Sequence, residues 1–324
     1  MAAVDKLTPN DHRVQHKSYT IPSNPYNTTY HYLLAEPPSS TPTTGTALLV
    51  HGFPDLSFGW RYQVPLLLSL GLRVIVPDIA GFGRTDAPSD LHAYSLQRVV
   101  KDLLAIVRHV QGKAEGDDVE PIVLAGHDWG GAVVWRFALW HPEALRCVIS
   151  LQWAGTEVDE ALVGREKIRA FLKVLYGARR DDGKQVFNVA KGLDLEALEV
   201  DKIGESPLVN GEELEYYADE YARNGIKGPL SWYKTSKINF DEEKVLFDEG
   251  RDKITLPTLM VVALRDNALP PAMSANMHEY CTNLTKKEVN ATHWALWEAA
   301  GETNQHFKDF LQGVLKEQPL KASI

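Results

Sequence analysis

Between two apolar runs, the chain reads Gly126-His127-Asp128-Trp129-Gly130-Gly131. The run before this stretch, residues 121–125, has the composition of a short buried strand, and the run after it, residues 132–139, that of a buried helix. The glycines around Asp128 predict a sharp turn between the two. A strand, a sharp turn and a helix form the nucleophile elbow of the pattern Gly-x-Ser-x-Gly, and here Asp128 occupies the serine position.

A carboxylate at the elbow changes which substrates can be attacked. If Asp128 attacked an ester, the product would be a reactive anhydride. If it attacks an sp3 carbon instead, the product is an ordinary ester that water can open. The elbow therefore predicts covalent catalysis on an epoxide or an alkyl halide.

Apolar runs and helical patterns alternate on both sides of the elbow. Because strands that alternate with helices form parallel sheets, the sequence predicts an α/β fold with a mostly parallel sheet flanked by helices. The second helix has a plausible N-cap in Ser95. The predicted strands cover residues 29–35, 46–50, 73–78, 121–125 and 146–151, and the predicted helices cover residues 57–69, 95–110 and 132–139.

The alternation stops after about Ala154, where charged amphipathic segments follow to about Lys244. Strand patterns return at residues 257–264 and 288–289, and a closing helix is predicted at 303–314. This interruption predicts a core that carries a helical cap, or lid. We assign residues 1–154 and 246–324 to the core and residues 155–245 to the cap. Active sites favour such boundaries.

An elbow nucleophile is followed in chain order by an acid and then a histidine. Asp266 follows the strand that ends at Leu264, and His293 follows the last strand. Both residues are expected at the carboxyl edge of the sheet, where open parallel sheets bind ligands. Asp266 would orient the imidazole, and His293 would deprotonate the attacking water. We therefore predict that Asp128, Asp266 and His293 are catalytic.

The stretch His51-Gly52-Phe53-Pro54 ends another strand of the core. This is where such enzymes place one amide of the oxyanion hole, and the other amide belongs to the residue after the nucleophile. The backbone N–H groups of Phe53 and Trp129 are therefore the candidates for stabilising charge during ester hydrolysis.

The composition limits the possible partners. The chain has 324 residues, a formal net charge of −9 and two cysteines. An acidic surface argues against nucleic acid and anionic membranes as partners, and two cysteines imply no disulfide framework. No apolar stretch has the length of a membrane span or the position of a secretory signal. The sequence thus predicts a cytoplasmic protein and indicates nothing about its oligomeric state.

In these motifs the chain resembles the epoxide hydrolases of the α/β-hydrolase superfamily, especially the soluble and fungal ones. The resemblance covers nearly the whole chain. It implies an α/β-hydrolase core with a helical cap, no cofactor, no metal, and conversion of a small epoxide to a vicinal diol through an alkyl ester on Asp128. The matching motifs are His51-Gly52-Phe53-Pro54-Asp55, Ser57-Phe58-Gly59-Trp60-Arg61, the stretch around Asp128 and His293-Trp294-Ala295.

The family also implies two cap tyrosines that donate hydrogen bonds to the epoxide oxygen. Gly228-Pro229-Leu230-Ser231-Trp232-Tyr233 resembles the motif of the second tyrosine, so Tyr233 is the candidate proton donor. The resemblance places Phe53, Pro54, Trp129 and Tyr233 around the substrate. Four aromatic residues indicate an apolar or aromatic epoxide, namely Phe53, Trp129, Trp153 and Trp232.

The motif of the first cap tyrosine has no counterpart in this chain. In relatives a proline-containing connection and a Tyr-Gln pair follow the strand, whereas here Ser150 runs directly into Leu151-Gln152. The connection is therefore interpreted as shortened, which would leave a slow or a catalytically impaired family member. The other cap tyrosines lie in no matching motif; they are Tyr176, Tyr216, Tyr217 and Tyr221.

A haloalkane or haloacid dehalogenase is the alternative, since it shares the aspartate nucleophile. Many haloalkane enzymes carry asparagine at the position of Phe53, and haloacid relatives tend to carry arginine at the position of Trp129. Both positions favour the epoxide hydrolase. A detoxifying role and a biosynthetic role are equally compatible with the sequence.

Overall fold

The computed structural model of the chain describes residues 3–151, 162, 164–188 and 192–317. Within these ranges, eight strands form one sheet and two short strands form a hairpin. The strands are β1 (Gln15–Thr20), β2 (Thr29–Ala35), β3 (Gly45–Val50), β4 (Leu72–Pro77), β5 (Ile122–His127), β6 (Leu145–Leu151), β7 (Phe187–Asn188), β8 (Gly192–Leu193), β9 (Thr258–Ala263) and β10 (Leu284–Val289). The large sheet has the order β1-β2-β4-β3-β5-β6-β9-β10.

The large sheet is parallel from β4 to β10, and β1 and β2 are joined to it antiparallel. Every residue of β3, β5 and β9 is buried, whereas most of β1 and β10 is exposed. Central parallel strands are covered by helices on both faces, which explains their continuous apolar sequences. The predicted α/β architecture with a mostly parallel sheet is confirmed.

Nine α-helices connect or cover these strands in the described ranges. They are α1 (Gln63–Ser69), α2 (Leu96–Val110), α3 (Trp129–Trp140), α4 (Arg165–Leu175), α5 (Gly211–Asn224), α6 (Lys227–Ser231), α7 (Ser236–Asp248), α8 (Ala295–Glu298) and α9 (Ala300–Glu317). Short 3-10 helices occur at Ser57–Trp60, Leu91–Tyr94, Pro142–Ala144, Val200–Lys202, Trp232–Lys234, Pro271–Ser274 and Met277–Glu279. The predicted helix at 57–69 is thus two pieces, a 3-10 turn followed by α1.

Helix α2 begins where the sequence predicts. The Ser95 side chain accepts a hydrogen bond from the Arg98 backbone N–H, which satisfies one of the free amides of the first turn. Val99, Leu103 and Ile106 follow at helical spacing and are fully buried. Cap and apolar spacing together fix this helix on the sheet.

The chain between β6 and β9 contains the helices of the predicted cap. Its described part holds α4 to α7 and the β7–β8 hairpin, and α4 packs along α5. The predicted boundary at 154/155 lies outside the described residues. The predicted boundary at 245/246 falls within α7, so that helix continues across it. The division of the chain into core and cap stays a prediction.

Candidate active site

Asp128 occupies the turn between β5 and α3 in a strained backbone conformation. Its φ is 56° and its ψ is −122°, values that are rare for a residue with a side chain. The two flanking glycines are required by close packing: a Cβ on Gly126 would lie 2.2 Å from the Gly130 carbonyl oxygen, and a Cβ on Gly130 would lie 2.0 Å from the Val50 oxygen. The turn therefore projects the Asp128 side chain beyond the carboxyl edge of the sheet.

The Asp128 carboxylate is buried and held on one side by backbone amides. The Phe53 N–H donates to Oδ1 at 2.7 Å, and the Trp129 backbone N–H also hydrogen-bonds the carboxylate. Burial raises the pKa of Asp128 to about 6, against the lowering effects of His293 and of the two amides. The predicted oxyanion-hole amides thus both contact the predicted nucleophile, and Oδ2 is the oxygen that faces His293.

His293 lies between Asp266 and Asp128. Its Nδ1 is 2.9 Å from Asp266 Oδ2, and its Nε2 is 3.6 Å from Asp128 Oδ2. Burial lowers the pKa of His293, but the hydrogen bond to Asp266 and the Asp128 charge outweigh it, and the net shift is upward. Asp266 is buried, which raises its pKa, yet its contacts with His293 lower the pKa overall. The three predicted catalytic residues therefore lie in one line, with a hydrogen bond between Asp266 and His293 and a 3.6 Å separation between His293 Nε2 and Asp128 Oδ2.

Backbone contacts hold both members of the His293–Asp266 pair. Asp266 Oδ1 accepts from the N–H groups of Ala268 at 2.8 Å and Leu269 at 2.9 Å. The His127 Nε2–H donates to the His293 carbonyl oxygen at 2.9 Å. Burial lowers the pKa of His127 to about 3, so its ring is neutral and serves as a donor. The sequence prediction missed His127, although its place beside the nucleophile was a usable signal.

A cavity of about 440 Å³ opens over Asp128. Three predicted substrate-binding residues line it, namely Phe53, Pro54 and Tyr233. Its remaining walls combine an apolar side with a polar rim; they comprise Asp128, Leu175, Gly177, Phe187, Pro207, Leu208, Arg265, Asp266, Asn267, Ala268, Thr292, His293, Trp294 and Glu298. A cavity of this size with a few convergent polar groups suits a small organic molecule.

Tyr233 and Trp129 lie in different places relative to the cavity. Tyr233 is half-buried in the 3-10 turn after α6, and its ring packs edge-on against Phe53, with centroids 6.0 Å apart. Trp129, also predicted to bind substrate, is absent from the described lining of the cavity, and its ring packs against Tyr233 at 5.2 Å. Its backbone amide faces the carboxylate, whereas its indole supports the tyrosine.

Three other cap tyrosines bind the loop that carries Phe53. Tyr176 donates its hydroxyl to the Pro54 carbonyl oxygen at 2.7 Å, and Tyr217 donates to Asp55 Oδ1 at 2.7 Å. Tyr221 donates to the Asp55 carbonyl oxygen at 3.2 Å. All three rings are fully or almost fully buried. These tyrosines therefore attach the cap helices to the core.

Tyr233 is the one tyrosine that lines the described cavity. All 12 tyrosines of the chain lie within the described ranges, and the other 11 are absent from its lining. The segment where relatives carry the first cap tyrosine, residues 152–161, lies outside the described residues and contains no tyrosine. The cavity that Asp128 lines thus has a single tyrosine in its described lining.

The described residues contain no cluster of three or more histidine, cysteine or acidic side chains arranged to hold a metal ion. Within the same ranges, no helix has the length and apolar character needed to cross a membrane.

A family model for the alpha/beta hydrolase fold matches residues 47–300 of the chain. The epoxide hydrolase srdG of Neurospora crassa is 40% identical and aligns with 96% of this chain and 99% of its own length. Epoxide hydrolase A of Mycobacterium tuberculosis is 27% identical, with 84% of this chain and 92% of its own length aligned. These matches confirm the predicted α/β-hydrolase fold.

Solved structures agree with this. The crystal structure of an epoxide hydrolase from Vigna radiata superposes with a TM-score of 0.73 at 20% identity, over 93% of this chain and 98% of its own. At this identity the likeness concerns the fold alone. The alignment with the N. crassa protein spans 348 positions, more than the 324 residues of this chain, so the relative has residues without a counterpart here. The shortened connection after β6 stays a prediction.

Proposed function

Because the chain belongs to the epoxide hydrolases of the α/β-hydrolase fold, we propose that it converts an epoxide to a vicinal diol through a covalent ester on Asp128. One observation carries this proposal. A buried carboxylate at the elbow has its Oδ1 bound by the Phe53 amide and its Oδ2 3.6 Å from the His293 imidazole. A carboxylate held in this way can attack carbon with Oδ2 and then be regenerated by water.

In the first half-reaction, Asp128 Oδ2 attacks one carbon of the oxirane. A C–O bond to Asp128 forms, the ring C–O bond breaks, and the ring oxygen takes the proton of the Tyr233 hydroxyl. A phenol is protonated at neutral pH and can donate to the opening alkoxide. The alkyl-enzyme ester that results holds the substrate in the cavity.

In the second half-reaction, His293 Nε2 takes a proton from a water molecule that attacks Cγ of Asp128. The negative charge develops on Oδ1, where the Phe53 amide already donates, and the Trp129 amide also hydrogen-bonds this carboxylate. The tetrahedral intermediate collapses, the bond from Cγ to the diol oxygen breaks, and His293 returns the proton to that oxygen. Asp128 emerges as the carboxylic acid and loses the second proton of the water to solvent, solvent reprotonates the Tyr233 phenolate, and the free enzyme is restored.

The cavity supports a small epoxide with an apolar or aromatic body. Leu175, Phe187, Pro207 and Leu208 form an apolar wall that can bury such a group. The two cysteines, both free and buried, suit the reducing conditions of the cytoplasm, where we propose that the protein acts.

A single turnover in 18O-labelled water tests the covalent route. With enzyme in excess over styrene oxide, the heavy oxygen should enter the peptide that contains Asp128, and the first diol should remain unlabelled. Mass spectrometry of the peptide and of the diol measures both. Label found only in the diol would show direct attack by water. Halide release from haloalkanes without epoxide turnover would instead favour the dehalogenase. No turnover of any epoxide in a panel would favour a catalytically impaired family member.

A further inference from the structure

The two loops that carry Asp266 and His293 are joined by side chains that directly precede these residues. Arg265 comes just before Asp266, and Thr292 just before His293. Both contact the carboxylate of Glu298, the last residue of α8: Arg265 Nη2 lies 3.3 Å from Oε2, and the Thr292 backbone N–H donates to Oε2 at 3.1 Å. The Thr292 hydroxyl donates to Oε1.

We propose that Glu298 is a positioning residue that fixes the His293 loop and thereby holds the imidazole in line for ester hydrolysis. The proposal rests on the function proposed above. Nothing in the sequence marks Glu298, because it lies five residues after His293 on a helix of four residues.

The contacts of Glu298 differ in strength. Its side chain is 16% exposed, and it satisfies two donors of Thr292 that have limited access to water. Arg265 is 55% exposed, so its ion pair with Glu298 contributes little by itself. Arg265 also donates to the Asn290 side chain at 2.9 Å and so remains attached to the neighbouring loop. The hydrogen bonds between Thr292 and Glu298 should therefore contribute more to fixing the His293 loop than the ion pair with Arg265.

His293 is held from two sides by these contacts. The peptide before it is bound through Thr292 to Glu298, and the carbonyl after it accepts from His127. With its backbone fixed at both ends, the ring keeps Nδ1 on Asp266 and leaves a 3.6 Å space between Nε2 and Asp128 Oδ2. Small displacements of a catalytic group are enough to slow a reaction by about 100-fold.

The test separates the two half-reactions. In Glu298→Ala, we expect the rate of ester formation to stay within roughly threefold of the parent, because Asp128 and Tyr233 are untouched. Ester hydrolysis should slow by about 10- to 100-fold, so that the alkyl-enzyme accumulates. Rapid quench followed by intact-protein mass spectrometry measures both rates with styrene oxide.

Conservative and control variants complete the experiment. Glu298→Gln keeps a carbonyl oxygen that accepts from the Thr292 amide, so it should restore hydrolysis to within roughly fivefold. Thr292→Val removes the hydroxyl donor and keeps the backbone N–H. It replaces Glu298→Ala in the experiment if that variant does not fold. Glu302→Ala changes an exposed carboxylate on α9 and should leave both rates unchanged. Equal slowing of both half-reactions, or normal hydrolysis, in Glu298→Ala would overturn the proposal.

A readout without substrate distinguishes this proposal from the proposed function. Because the hydrogen bond to Asp266 raises the pKa of His293, loosening the loop should bring that pKa back towards its usual value in Glu298→Ala but not in Glu298→Gln. An NMR titration of the imidazole measures this shift. An unchanged pKa in Glu298→Ala contradicts the proposed role, whereas absence of the heavy oxygen from the Asp128 peptide after a single turnover of the parent contradicts the proposed function alone.

Discussion

The core side and the cap side of the cavity differ in the number of candidate catalytic residues that they supply. On the core side, Asp128, Asp266 and His293 each have hydrogen-bond partners that fix them in one line. On the cap side, a single tyrosine, Tyr233, lines the described cavity. The core side supplies the three residues proposed to act in ester hydrolysis. The cap side supplies one phenol to assist ring opening. Ring opening is therefore expected to limit turnover.

The cap tyrosines also show that one residue type serves two purposes in this fold. Tyr176, Tyr217 and Tyr221 donate to the loop at residues 54–55 and attach the cap. Tyr233 packs beside Phe53 and lines the cavity. The number of tyrosines in the cap is thus no guide to the number of proton donors.

Removal of the nucleophile should have the largest effect on activity. Asp128→Ala should reduce diol formation by on the order of 10⁴- to 10⁶-fold, since the proposed ester forms on this carboxylate. Burial raises the pKa of Asp128 to about 6, so at neutral pH the ionised side chain destabilises the fold. The variant should therefore melt at a higher temperature than the parent at pH 7, as calorimetry can measure. A lower melting temperature would mean that the amides of Phe53 and Trp129 outweigh the effect of burial.

Removal of the base His293 should slow ester hydrolysis, the step assigned to the core side, and leave ring opening intact. In His293→Gln, ester hydrolysis should slow by about 10²- to 10⁴-fold, because general-base assistance is lost. Ester formation should persist, so the mass of the substrate should appear on the intact protein. If no adduct forms, His293 is also needed for ring opening, and the separation between the two sides fails.

Loss of the Tyr233 hydroxyl tests the cap side. Tyr233→Phe should slow ester formation by about 100-fold or more, since no second tyrosine lines the described cavity. The loss should be greater for an aliphatic epoxide than for styrene oxide, because a benzylic carbon stabilises the charge that develops as the ring opens. Single-turnover rates for both substrates give the comparison. A loss below roughly threefold would indicate another donor in the cap.

The pH dependence of ester formation tests the state of the nucleophile. Asp128 attacks only as the carboxylate, and its pKa is raised to about 6 by burial. The rate should be constant above that pH and should fall tenfold per pH unit well below it. Stopped-flow single turnovers of the parent, which keeps His293 beside Asp128, follow this step because ring opening is expected to be slower than ester hydrolysis. A rate that holds down to about pH 4 would place the carboxyl in a more polar site than the structure has.

The smallest effect on activity is expected from the tyrosines that attach the cap. Tyr217→Phe removes one of the two buried donors of Asp55 Oδ1, the other being the Leu56 N–H, and should lower the free energy of unfolding by about 1–3 kcal/mol. Activity should change by less than roughly threefold. Denaturant unfolding measures the change, and Tyr280→Phe, at an exposed ring, is the control. A large loss of activity would mean that this tyrosine acts on the substrate as well.

The local parts of the fold could be predicted because neighbouring residues decide them. Ser95 caps α2, glycines surround the elbow at Asp128, and buried strands appear as apolar runs. Asp266 and His293 follow their strands in the chain order typical of this type of site. These signals require only a few adjacent positions, so a single sequence contains them.

The remaining features depend on contacts between distant segments. Tyr217 and Asp55 are 162 positions apart, and nothing near either residue indicates that they meet. The packing of the Trp129 indole against Tyr233, a residue of the cap, is another contact that the sequence around Trp129 does not indicate. Glu298 was missed for the same reason, since its partners become apparent only when the two loops are brought together.

The amide of Phe53 makes the two oxygens of Asp128 chemically unequal. Oδ1 accepts from that amide at 2.7 Å, so in the proposed mechanism Oδ2 is the oxygen transferred to each diol, and the oxygen of the attacking water replaces it beside His293. Oδ1 is then never transferred to a diol. After many turnovers in 18O-labelled water, Asp128 should carry one heavy oxygen, and every diol after the first should contain the oxygen of the water consumed one cycle earlier.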